Sequence, residues 1–206
     1  MTQGLFATLI IGTMIQQIGL LIGGSTGNVI YLLGKAAAAL TSAGIGVGVA
    51  VKYGESPLVT VSAAVAAMVG GYAGKITGGT FFVDGNAVLA GPGEPLGAFI
   101  AAFAGITCGH LVSGKTKVDI IVTPVITIGA GSVVGLLVGP PISQMMTGLG
   151  SIINWATEQR PFIMGIVVSV VMGMVLTLPI SSAALGIILN LSGLAAGAAT
   201  IGCCCN

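Results

Sequence analysis

The chain has 206 residues, of which only 6 are Lys or Arg and 5 are Asp or Glu, whereas an ordinary soluble domain of this length carries about 50 charged side chains. Glycine fills 35 positions, and the mean hydropathy is +1.11. So few polar groups cannot cover the surface of a water-soluble fold. The composition therefore excludes such a fold and indicates that a lipid bilayer surrounds the protein. A net charge of +1 also excludes nucleic acid as a partner, because nucleic-acid binding needs clustered Lys and Arg.

Uncharged stretches long enough to cross a bilayer recur along the chain. A transmembrane helix needs about 20 mostly apolar residues. Five stretches approach that length, namely 5–23, 36–51, 57–74, 97–112 and 119–139. Pro57 opens the third stretch and suits the first turn of a helix, where its missing amide costs nothing.

The second half of the chain contains further apolar segments. Pro140 and Pro141 predict the end of the helix over 119–139, because proline breaks the helical hydrogen-bond pattern. Apolar residues at spacings of three and four then predict an amphipathic helix over 142–156. The segments 162–178 and 180–206 are also apolar. We therefore expect an all-α polytopic membrane protein, a glycine-rich bundle of about seven or eight membrane segments with broken or re-entrant elements.

Charge placement and glycine spacing refine this expectation. If each segment crosses once and the N-terminus is cytoplasmic, four basic residues fall inside and two outside, the bias that orients membrane proteins. Lys52, Lys115, Lys117 and Arg160 are then cytoplasmic, and Lys35 and Lys75 external. Glycine pairs four residues apart mark faces where helices approach closely. These pairs are Gly70 and Gly74, Gly131 and Gly135, Gly135 and Gly139, and Gly193 and Gly197.

Residues 109–116 match the phosphate-binding loop pattern G-x-x-x-x-G-K-[ST]. That loop must leave a buried strand and open a helix. Here it follows a membrane segment, so we interpret it as a basic connection between helices. The spacing of the cysteines and the single His suits no metal site, and no motif predicts a cofactor or a catalytic residue.

Two proline-containing interruptions lie between apolar stretches. Residues 81–97 hold Asp84, Glu94 and several glycines, and Pro179 precedes Ser181 and Ser182. Irregular backbone at membrane depth survives only inside protein or against a water-filled cavity. Paired interruptions of this kind hold the substrate in many transporters, although an external loop with solvated charges gives the same pattern at 81–97. We predict that Glu94 contacts a polar solute, with Ser181 and Ser182 across the cavity and His110 as a further contact.

Several stretches resemble a known family. Residues 159–202, reading QRPFIMGIVVSVVMGMVLTLPISSAALGIILNLSGLAAGAATIG, are similar to the signature region of the EIIC-like membrane proteins of the phosphotransferase system, of the perfringolysin-regulator type. Residues 45–57, 90–99 (AGPGEPLGAF) and 113–124 (SGKTKVDIIVTP) also resemble it. The likeness covers most of the chain. Members of the family continue with further helices, so the resemblance implies one membrane domain over 1–206 that stops short of the family's C-terminal end.

The resemblance implies a function as well as a fold. It implies a multi-pass, homodimeric sugar permease of the bacterial plasma membrane, which presents its substrate to cytoplasmic IIA and IIB components. The phosphoryl chemistry would come from those components. In related sugar permeases a glutamate in a Gly-x-x-Glu-Pro motif and a histidine contact the sugar. Residues 91–95 are similar to that motif, and His110 is the only histidine.

Two other functions stay open at the level of sequence. The first is a membrane-bound regulatory sensor, which would bind a ligand at the same site and control gene expression, such as that of a toxin, without transport. The second is a proton- or ion-coupled carrier, which would need intramembrane carboxylates, and Asp84 and Glu94 are the candidates.

Overall fold

A computed structural model of the chain describes residues 1–83, 86–87, 89, 91–115, 118–158, 161–175 and 197–200. The chain divides into two compact units, Met1–Ser143 and Gln144–Asn206. The boundary between the units falls within the helix Asp119–Glu158.

The first unit opens with a helical hairpin. Helix α1 (Thr2–Leu5), a π-helical segment (Phe6–Ile10) and α2 (Ile11–Ile22) follow one another in the span Thr2–Ile22. Gly23 and Gly24 then adopt φ angles of +64° and +63°, which glycine reaches without steric cost. The chain reverses there, and α3 (Gly24–Ala39) packs back against α2. The first predicted membrane segment is therefore confirmed as a helix.

The second predicted segment, 36–51, is wrong in its bounds. Helix α3 ends at Ala39 and α4 (Thr41–Lys52) follows after a bend of 52°. Residues 36–39 thus belong to α3, a helix that the sequence did not predict. Its polar residues, including Asn28 and Lys35, conceal it from a search for uncharged stretches. The bent pair is either a broken span or a re-entrant element.

Helix α5 (Pro57–Gly71) begins as its sequence predicts. Ser56 caps it by accepting a hydrogen bond from the Val59 amide at 3.4 Å, and Pro57 occupies its first turn. The helix ends at Gly71, before Tyr72, and a short helix α6 (Ala73–Thr77) follows.

A small antiparallel hairpin interrupts the helices. Strand β1 (Phe82–Val83) pairs with β2 (Asn86–Ala87), with Phe82 opposite Ala87. Helix α7 (Pro95–Val112) begins after an irregular segment and includes the predicted stretch 97–112.

Helix α8 (Asp119–Glu158) contradicts the predicted end at Pro140 and Pro141, because it continues through both prolines and through Pro124. Continuing through two adjacent prolines costs the helix two backbone hydrogen-bond donors. Ending the helix there would cost more, because four carbonyls on one side of the break and four amides on the other would lose their helical partners. In a membrane, no water is present to replace those partners. The predicted amphipathic helix over 142–156 is confirmed as part of α8.

Helix α9 (Pro161–Val175) corresponds to the predicted segment 162–178. Of the segment 180–206, the structure describes only 197–200, which is helical.

Small residues let α5, α7 and α8 approach closely. A Cβ atom at Gly70 of α5 would lie 2.5 Å from the carbonyl oxygen of Gly97 in α7. One at Gly135 of α8 would lie 2.8 Å from the Cα of Gly70. The predicted packing role of Gly70, Gly131 and Gly135 is confirmed. Gly193 lies outside the described residues.

The described residues contain three helices that are long and apolar enough to cross a membrane, or four if the bent pair is one span. These spans are Thr2–Ile22, Pro95–Val112 and Asp119–Leu149, with Gly24–Ala39 and Thr41–Lys52 as the pair. The fold is that of an all-α membrane protein, apart from the hairpin. The expected total of seven or eight segments stays a prediction.

Candidate functional site

The irregular segment that precedes α7 holds the candidate site. Gly91 and Gly93 adopt φ angles of +78° and +73°, which glycine reaches readily and other residues rarely adopt. Glu94 is the residue before α7 and has an extended backbone, as expected for a residue that precedes proline. We call residues Gly91–Glu94 the GPGE loop.

Three hydrogen bonds hold the GPGE loop against the rest of the first unit. The Tyr72 hydroxyl donates to the Gly91 carbonyl, and the Ser42 hydroxyl donates to the Pro92 carbonyl at 3.2 Å. The Glu94 amide donates to the Gly71 carbonyl at 2.7 Å. Protein groups therefore satisfy this irregular backbone, the condition under which such backbone survives at membrane depth.

The Gly93 position shows how closely the loop is packed. A Cβ atom at Gly93 would lie 2.6 Å from the Ser42 hydroxyl oxygen and 3.1 Å from the Gly71 carbonyl oxygen. Because the chain also has a positive φ there, only glycine fits. The loop is therefore a packed element of the unit.

The Glu94 carboxyl group is the polar group that this loop presents. Its Oε2 atom is buried and has no hydrogen-bond partner among the described residues. Glu94 lies just outside the span Pro95–Val112, and burial raises the pKa of its carboxyl group, while the Lys75 ammonium lowers it. The Lys75 ammonium also lies 5.4 Å from the centre of the Tyr72 ring. A buried acceptor of this kind suits a ligand that brings its own hydrogen-bond donors.

His110 lies near the other end of the same helix. Its Nδ1 atom is 2.9 Å from Oε1 of Glu55, with the His110 side chain 72% exposed and the Glu55 side chain 7% exposed. His110 follows Glu94 by 16 residues, which corresponds to about 24 Å along an α-helix. The structure therefore does not bring His110 to Glu94. The predicted site residues Ser181 and Ser182 lie outside the described residues, as does Asp84.

Three residues that contact the GPGE loop or His110 were not predicted from sequence. Tyr72 and Ser42 hold the GPGE loop, and Glu55 pairs with His110. A tyrosine within the glycine- and alanine-rich stretch from 63 to 74 is the signal that could have indicated Tyr72. Ser42 carries no comparable signal, because its partner lies 50 residues away.

Residues 109–116, which match the phosphate-binding loop pattern, begin within a helix. Gly109 to Val112 form the last turn of α7, and Ser113 and Gly114 form the turn that follows. A phosphate-binding loop would follow a strand, so this context supports its interpretation as a connection between helices. The described residues also contain no group of three or more His, Cys, Asp or Glu side chains that could hold a metal ion.

Comparison with known proteins assigns the chain to a family. The family model "Phosphotransferase system, EIIC" matches residues 1–206. The chain belongs to this EIIC family. No curated protein and no solved structure matches the chain. Membership, together with the apolar helices, shows that this EIIC protein is a membrane permease component of a sugar phosphotransferase system.

Proposed function

We propose that this EIIC protein binds a sugar or a similar polar solute at Glu94 and carries it across the bacterial plasma membrane. The observation that carries the proposal is the buried Glu94 carboxyl group, which has an oxygen without a hydrogen-bond partner among the described residues. A sugar has several hydroxyl donors and no charge. A carboxylate can accept two of these hydroxyls through charge-assisted hydrogen bonds, about twice as strong as neutral ones.

Phosphorylation of the solute requires separate components. Cytoplasmic IIA and IIB proteins would supply the phosphoryl group, which passes from a phosphocysteine or phosphohistidine to a sugar hydroxyl while that hydroxyl loses its proton. The EIIC protein would hold the sugar and expose it to the cytoplasm. By likeness to its family, it would work as a multi-pass homodimer.

The proposal is confined to Glu94 among the described residues. His110 lies about 24 Å away along α7, too far for one sugar to contact both side chains in this conformation. The packed GPGE loop supports the proposal, because it holds Glu94 against protein.

Uptake by membrane vesicles tests this function. Vesicles containing the protein would receive radiolabelled hexoses, hexosamines, hexitols and disaccharides, with a cytoplasmic extract that supplies phosphorylated IIA and IIB. We expect one sugar to accumulate as its phosphate ester, and only with the extract. Vesicles without the protein are the control. Saturable binding of a sugar without accumulation would instead favour the regulatory sensor.

The proposed orientation predicts which residues are cytoplasmic. Lys52 precedes α5 and Lys75 follows it, so the two lie at opposite ends of a helix about 22 Å long. The basic bias places Lys52 and Lys115 inside and Lys75 outside. We expect an impermeant thiol reagent to label Lys75→Cys in intact cells, and Lys52→Cys and Lys115→Cys only after permeabilisation. The cysteines would be introduced into a variant that lacks the native ones. The reverse labelling pattern would show that the orientation is inverted.

A further inference from the structure

The Tyr72 hydroxyl group lies between two backbone carbonyls that belong to different elements. One is the Gly91 carbonyl at the start of the GPGE loop, and the other is the Ala39 carbonyl, 3.1 Å away. The Tyr72 side chain is buried, with 1% of its surface exposed. A phenol has one proton, so the hydroxyl shares a single hydrogen bond between the loop and Ala39.

Ala39 occupies a particular place in the fold. It is the last residue of α3, directly before Leu40 and the 52° bend that separates α3 from α4. Ser42, in the first turn of α4, donates to the Pro92 carbonyl of the same loop. Both sides of the bend are therefore linked to the GPGE loop through side-chain hydroxyl groups.

We propose that Tyr72 is a positioning residue for Glu94, and that its hydroxyl group couples the solute site to the bend between α3 and α4. The inference rests on the proposed function of Glu94 as a solute contact. Tyr72 donates a hydrogen bond to the carbonyl of Gly91, three residues before Glu94, and Ser42 donates one to the carbonyl of Pro92, two residues before it. Because the Gly71 carbonyl also accepts a hydrogen bond from the Glu94 amide, the loop is held at three of its four residues. A change in the bend therefore moves the Glu94 carboxyl group.

Phenylalanine at position 72 removes only the oxygen. The ring that contacts Phe81 at 5.5 Å and lies beneath Lys75 stays in place. We expect Tyr72→Phe to raise the hydrogen-exchange rate of the Glu94 amide about tenfold, the range for a lost buried hydrogen bond. Exchange in the middle of α5 and α7 is expected to stay unchanged. Tyr53→Phe is the matched control, since Tyr53 is 59% exposed at the far end of α4.

A second readout separates positioning from a purely structural role. Infrared difference spectra report the titration of the Glu94 carboxyl group, assigned by its absence in Glu94→Gln. In Tyr72→Phe the released loop gains water, so we expect the Glu94 titration to move to lower pH. Among the described residues, the charged group that acts on Glu94 is Lys75 from α6, while Tyr72 and the uncharged Ser42 of α4 bind the backbone of the preceding loop residues. Tyr53→Phe is expected to titrate like the wild type.

Each combination of results from the two measurements supports or overturns the positioning role of Tyr72. Faster exchange at Glu94 together with the shifted titration supports the proposal. Faster exchange with an unchanged titration would make Tyr72 a structural residue only, and no change in either measurement would overturn the proposal. If Tyr72→Phe fails to fold, Ser42→Ala removes the neighbouring hydrogen bond and is read in the same way. Neither measurement contains solute, so failure of the proposed transport function would be recognised separately.

Discussion

Glu94→Gln is expected to weaken solute binding about 10- to 100-fold while the protein still folds and inserts. Hydrogen bonds to a charged group contribute about 1.5–3 kcal/mol each, and glutamine retains the shape and one acceptor but loses the charge. The buried position of the Glu94 carboxyl group increases the difference in affinity between the wild type and Glu94→Gln, since little water competes for the carboxyl group there. The loss should therefore appear in affinity and leave the amount of folded protein unchanged.

Thermal unfolding in detergent measures this effect. The sugar identified by the uptake experiment should raise the melting temperature of the wild type, in proportion to the logarithm of its concentration above Kd. The same sugar should raise that of Glu94→Gln only at concentrations 10- to 100-fold higher. His110→Ala is the matched control, because it changes a polar residue at the opposite end of α7. Equal affinity in wild type and Glu94→Gln would mean that Glu94 does not contact the solute.

The stability of the folded protein is expected to depend on pH through the Glu94 carboxyl group. Burial raises the pKa of the Glu94 carboxyl group in the folded protein, so its contribution to stability is greatest at acidic pH and is lost as the pH rises through that pKa. The neutral Glu94→Gln variant avoids this loss and should be at least as stable as the wild type at neutral pH. Solute binding should follow the opposite trend in the wild type, strengthening as the carboxylate forms.

Local sequence patterns predicted the parts of this fold that depend on neighbouring residues. Ser56 and Pro57 indicate the start of α5, and the first apolar stretch indicates the first span. The glycine spacing indicates the faces of α8, because small residues are what close helix approach requires. These signals are contained within a few turns of the chain.

Features that depend on distant residues were not predictable in this way. The bend at Leu40 separates two helices, and the hydroxyl groups that connect it to the GPGE loop have partners up to 50 residues away. Proline propensity alone also misplaced the end of α8, since the absence of water favours a continuous helix through Pro140 and Pro141. The sequence predicted a role for Glu94 through its motif, but the hydrogen bond from Tyr72 to the Gly91 carbonyl of the same loop is a tertiary contact.

Gly131→Ala is expected to lower the melting temperature by about 2–12 °C. The new methyl group would lie 2.7 Å from the Ala101 carbonyl oxygen in α7 and 2.6 Å from the Cβ of Ala66 in α5. Neither is the end of a flexible side chain, so the helices themselves must move apart. Overpacking of this kind costs about 1–3 kcal/mol, or more where backbone must shift, and each kcal/mol corresponds to about 2–4 °C in a chain of this size.

Gly129→Ala provides the matched control for this prediction. Gly129 lies two residues away on the same helix, and a Cβ atom there would meet nothing within 4 Å. Alanine is favoured over glycine within a helix by about 1 kcal/mol, so this variant should melt at the same temperature as the wild type or slightly above it. The two variants differ only in which face of α8 receives the methyl group. If both melted alike, close packing at Gly131 would not hold α8 against α5 and α7, and the orientation of α7, which follows Glu94 directly, would need another support.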